Sequence, residues 1–85
     1  MGTDPTLAAY LPVLYRVALD SVDELARAGC RTEAARLRTK AARAYARAWD
    51  DRCRRALEKT IERAHAAAGT PAPAVTPPGV VVTAG

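Results

Sequence analysis

Residues 29–69 read GCRTEAARLRTKAARAYARAWDDRCRRALEKTIERAHAAAG, and between Gly29 and Gly69 there is no other glycine and no proline. Alanine, arginine and leucine, all strong helix formers, fill this stretch. Gly29 stands where a left-handed residue would close a preceding helix, and Gly69 with Pro71 where the chain would leave a following one. Thr32 is the expected N-cap, with Glu33 in the first turn. An Asp at Trp49-Asp50-Asp51 offers a cap for a further helix. Against a break there, Arg47 and Asp51, Asp50 and Arg54, and Asp51 and Arg55 are opposite charges at i,i+4. The spacing therefore predicts one uninterrupted helix over 33–68.

Upstream, Asp4-Pro5 is an acidic cap followed by proline at the first helical position, and the pattern predicts a helix over 5–28. Pro12 removes one backbone donor, so a kink or a separate first turn is expected there. The charges Arg16, Asp20, Asp23, Glu24 and Arg27 share one stripe, and the remaining positions are largely apolar. Such a helix needs cover on more than one side. The short connection at Cys30-Arg31-Thr32 makes the two helices antiparallel neighbours.

The second helix would then overhang the first by roughly 12 residues at 1.5 Å each. The overhang carries Leu57, Ile61 and Ala64, on the apolar side with Cys53, Ala56 and Thr60. The expected fold is all-α: an antiparallel two-helix hairpin with a long second helix, assembling into a dimeric helical bundle. The expected self-association face is Leu7, Leu11, Leu14, Val17, Leu57 and Ile61. A hairpin domain over 1–69 precedes a Pro/Ala-rich flexible tail over 70–85, with Pro71, Pro73, Pro77 and Pro78 and a closing Val80-Val81-Val82.

With 85 residues the chain is one domain, and small enough for oligomerisation to help stabilise it. Its net charge of +4 is uneven. Residues 1–30 carry −2 and residues 56–85 are neutral, whereas residues 31–55 hold nine basic groups against three acidic. Two cysteines are too few for a disulfide framework. Cys30 and Cys53, separated mostly along one straight helix, would lie roughly 30 Å apart and stay unbridged. The N-terminus lacks the basic start of a secretory signal, and no apolar run approaches the roughly 20 residues of a membrane span. These features predict a cytoplasmic chain with reduced thiols and no membrane partner. Its Ala and Arg usage resembles that of a high-GC bacterium.

The most regular chemical feature is basic. Arg36, Lys40, Arg43, Arg47 and Arg54 step by four, three, four and seven, so one unbroken helix would align them along about 27 Å. Such a ridge suits a phosphate backbone or an acidic partner. Asp50 lies on the same stripe, and the chain has no Asn or Gln to read bases. Tyr45 and Trp49 share a helix face and are expected in the core, since the chain has no Phe. His65 with Glu62 forms Glu-x-x-His, but no partner glutamates project from the first helix to complete a metal site. The lone histidine has no neighbouring Ser or Cys in sequence, so no catalytic set, metal or cofactor is predicted. The sequence reads as a small non-enzymatic helical protein acting through association, with itself or as an adaptor. The alternative is a nucleic-acid-associated protein using the basic ridge.

Overall fold

The structure is a computed structural model that describes residues 5–73 and 75. The expected Asp4 cap and the closing valines 80–82 lie outside the described residues. The described residues form three helices: α1 Pro5–Arg27, α2 Arg31–Arg47 and α3 Asp51–Ala68. Each packs against the other two, and the described residues contain no strand. The fold is all-α as expected, with three helices in place of two.

The first turn of the chain follows the glycine signal. Gly29 has φ 101°, and the Gly29 and Cys30 amides donate to Ala26 and Leu25 carbonyls at 3.1 and 3.2 Å. This double bond satisfies carbonyls that the helix end leaves free, and a Cβ would resist that φ. Helix α2 starts two residues earlier than expected, at Arg31. Cys30 is its N-cap and supplies no side-chain bond, so Thr32 lies inside the helix and caps nothing. Pro12 is accommodated within an uninterrupted α1, where it is exposed.

The continuous second helix is the expectation that fails. Ala48 is fully extended (φ −163°, ψ 145°), and Asp50 caps a new helix by accepting from the Cys53 amide at 3.0 Å. On the other side of the break, Trp49 Nε1 donates to the Tyr45 carbonyl at 3.0 Å, satisfying one acceptor at the end of α2. Of the three charge pairs that argued for continuity, only Asp51–Arg55 forms, at 3.2 Å.

Magnitudes explain the outcome. Three exposed i,i+4 pairs are worth about 0.2–0.5 kcal/mol each. Burying Leu57 and Ile61 is worth about 1.5–3 kcal/mol apiece. The break turns α3 back onto α1, where Leu57 (0 % exposed) and Ile61 (3 %) join Leu11 and Leu14 in one core cluster. Ala64 joins a second cluster with Val22, Leu25, Ala34 and Leu37. The overhang that called for a second copy therefore does not exist. The need of α1 for cover on several sides is real, and α2 and α3 of the same chain meet it.

Just beyond α3, Gly69 (φ 75°) and Thr70 repeat the same closing pattern, with Thr70 N donating to the His65 carbonyl at 2.9 Å. Val75 then packs against the cluster containing Tyr10 and Ile61. The Tyr10 hydroxyl bridges the Glu58 carboxylate (3.4 Å) and the Val75 carbonyl (3.5 Å).

Candidate nucleic-acid interface

Helix α2 buries little. Ala34, Leu37 and Ala41 are its buried residues, and the small alanines set it close to the core. The rest of its circumference is available to its basic side chains. Arg31, Arg36, Lys40 and Arg43, with Thr32, Ala35 and Thr39 between them, line an open depression of about 640 Å³. Among the described residues no carboxylate lines it. Among the described residues none of these four cations has an ion-pair partner. The Thr39 hydroxyl donates to the Ala35 carbonyl at 3.0 Å.

The expected ridge is shortened. Arg36, Lys40, Arg43 and Arg47 remain on one helix, over about 17 Å. Arg54 belongs to α3 and is engaged elsewhere, bonded to Asp51 at 2.6 Å and Glu58 at 2.8 Å. The hydrogen bond to Asp51, followed by the charges of Glu58 and Asp51, holds its guanidinium above its ordinary range. Arg38, on the α1 side, pairs with Asp23. Asp50 caps α3 and keeps its charge, close to Arg47 and Arg52.

The break brings cations of α3 beside those of α2. Leu37, Lys40, Ala56, Lys59, Thr60 and Arg63 line a groove of about 170 Å³ between the two helices. A smaller hollow of about 100 Å³ beside it is lined by Ala44, Arg47, Ala48, Asp50, Arg52, Cys53 and Ala56. Lys59, Arg63 and Arg52 were not part of the sequence-derived ridge. Recognising Asp50 as a cap was the signal that would have found them, because only a chain reversal sets them alongside Lys40 and Arg47.

The residues of the expected self-association face are divided by the fold. Leu11, Leu14, Leu57 and Ile61 are buried within the chain, whereas Leu7 and Val17 are half-buried. Tyr45 and Trp49, expected in the core, are half-buried and pack against it from outside. Tyr45 stacks on Tyr15 with centroids 4.2 Å apart and planes 6° from parallel, and Trp49 tilts onto Tyr45 at 5.0 Å. Burial first, then the neighbouring Cys53 and Tyr15, pushes the Tyr45 phenol up.

His65 does have a hydroxyl neighbour, contrary to the sequence reading. Ser21 Oγ lies 2.9 Å from Nε2, and Thr70 Oγ1 lies 2.8 Å from Nδ1. Both Ser21 and His65 are buried, and the Ser21 hydroxyl donates to the Val17 carbonyl at 2.8 Å. With its proton committed to Val17, Ser21 accepts from Nε2–H. The group therefore ties α1 to the end of α3. Both thiols are free: Cys53 is buried and Cys30 half-buried.

No described helix is long and apolar enough to cross a membrane. In comparisons with known protein families, curated proteins and solved structures, nothing matches this chain.

Proposed function

We propose that this protein is a non-enzymatic helical module that binds the sugar–phosphate backbone of nucleic acid through the outer face of α2. The observation that carries this reading is the open depression in which Arg31, Arg36, Lys40 and Arg43 converge without a carboxylate. Like charges gathered on one face raise the local positive potential and draw in a polyanion. The competing reading, association with itself or another protein, has lost the apolar overhang on which it rested. Among the described residues, Val13 (44 % exposed) is the one large hydrophobic side chain that is exposed. The Ser21–His65 pair lends no catalytic reading, since both are buried and the Ser21 proton is directed to Val17.

The test is fluorescence anisotropy of a labelled 20-bp duplex across a salt series. Association should weaken steeply with salt, by about 0.9 in log K per log salt for each phosphate contacted. Charge reversal of Arg36, Lys40 and Arg43 should abolish binding while leaving the circular dichroism spectrum unchanged. Binding that persists in the triple variant, or that ignores salt, overturns the proposal. Light scattering that finds a stable oligomer, with no duplex binding, would return the protein to the association reading.

A further inference from the structure

We infer that the groove between α2 and α3 is a second phosphate site, formed by Lys40, Lys59 and Arg63, that seats a backbone phosphate of duplex nucleic acid. The inference rests on the reading of the α2 face just given and extends it to a second helix. Three cations from two helices rim a groove of about 170 Å³ with no carboxylate in its lining. Among the described residues, none of the three has an ion-pair partner. Lys59 and Arg63 are four apart on α3, a spacing at which like charges destabilise a helix, and Lys40 faces them from α2. A bound anion relieves that repulsion.

The floor explains which anion fits. Leu37 and Thr60 are buried, and the Thr60 hydroxyl donates to the Ala56 carbonyl at 2.9 Å, so the floor offers no free donor. Recognition falls to the rim, where Arg63 can present a planar fork to phosphate oxygens and the two lysines act as point charges. The groove is smaller than the roughly 300–1,000 Å³ of small-molecule pockets, so it suits a phosphate group and not a cofactor.

Lys40 also lines the outer depression and so joins the two sites. No aromatic residue lines either one, and the stacking platforms that hold single strands are missing from this face. The chain contains no Asn or Gln for pairing with adenine. A duplex, with its denser phosphates, is the preferred ligand, and its sequence should matter little.

Anisotropy with two unrelated 20-bp duplexes, a single strand of equal length and inorganic phosphate as competitor tests the site. The double variant K59Q/R63Q should bind both duplexes at least tenfold more weakly. Its salt slope should fall by about one, for the single phosphate that the groove seats. Helix content should be unchanged by circular dichroism; if it is not, the single variants K59Q and R63Q should each weaken binding and lower the slope, by about one at most. Inorganic phosphate should compete only at millimolar concentration or above. If K59Q/R63Q keeps the full slope while R36Q/R43Q lowers it, the groove site is overturned and the α2 reading survives. If the unaltered protein binds no nucleic acid, both fall. Tighter binding of the single strand than the duplex, or of inorganic phosphate than either, would overturn the assigned ligand.

Discussion

Ser21 Oγ and His65 Nε2, 44 residues apart in the chain, lie 2.9 Å apart and buried where α1 meets the end of α3. Ser21→Ala would leave the imidazole N–H without its acceptor, at a cost of about 1–3 kcal/mol. For a chain of this size each 1 kcal/mol lowers the melting temperature by about 4–8 °C. A double-mutant cycle with His65→Leu should recover a coupling of about 0.5–3 kcal/mol by denaturant unfolding. Strict additivity would mean that the two residues act independently.

Leu14 of α1 and Leu57 of α3 are both wholly buried in one cluster that also takes Ala41 of α2. Each substitution to Ala should cost about 2–5 kcal/mol. Because the contact is within one chain, the melting temperature should not change over a hundredfold range of protein concentration. A melting temperature that climbs with concentration would mean that a second copy supplies part of the core.

The α2–α3 corner depends on Asp50. Replacing it with Ala removes the cap on the Cys53 amide and should lower stability by about 1 kcal/mol. Its neighbour Asp51 is exposed, and its hydrogen bond from Arg54, then the charges of Arg54 and Arg55, hold its carboxyl below the usual range. A depressed folded value gives stability that is present above the ordinary carboxylate range and lost as pH falls through the lower one. Asp51→Asn should flatten that acid limb, measured by urea unfolding from neutral pH downward, with a small loss of stability at neutrality and none at the acid end.

The two thiols should react at different rates. Burial, reinforced by Asp50, pushes the Cys53 thiol up, so little of it is thiolate near neutral pH. Alkylation of the native protein followed by intact mass should add one label quickly, at half-buried Cys30, and the second only slowly. In denaturant without reductant both labels should appear together. The absence of labels would reveal a disulfide.

The described residues just past α3 touch the helices. Thr70 bonds His65, and Val75 packs beside Tyr10. A chain ending at residue 69 should therefore melt below one ending at residue 75, because it loses a part-buried hydrogen bond and part of an apolar contact. Equal melting curves would mean that these contacts add nothing to the stability of the helices.

Local chemistry alone determined much of this protein. Propensity and glycine punctuation fixed the helical class, the first helix to within a residue, the αL turn at Gly29 and the end of the last helix at Gly69, because those signals act within a few residues. The basic character of residues 31–47 was equally legible, being a matter of composition. What only the tertiary structure decided was the corner at Ala48–Asp50. Local charge pairs favoured a straight helix there by tenths of a kcal/mol, whereas long-range burial of Leu57 and Ile61 against Leu11 and Leu14 outweighed them. That one reversal removed Arg54 from the ridge, set Lys59 and Arg63 opposite Lys40, and brought His65 to Ser21. None of these neighbours is adjacent in sequence, and no period along a single helix could have paired them.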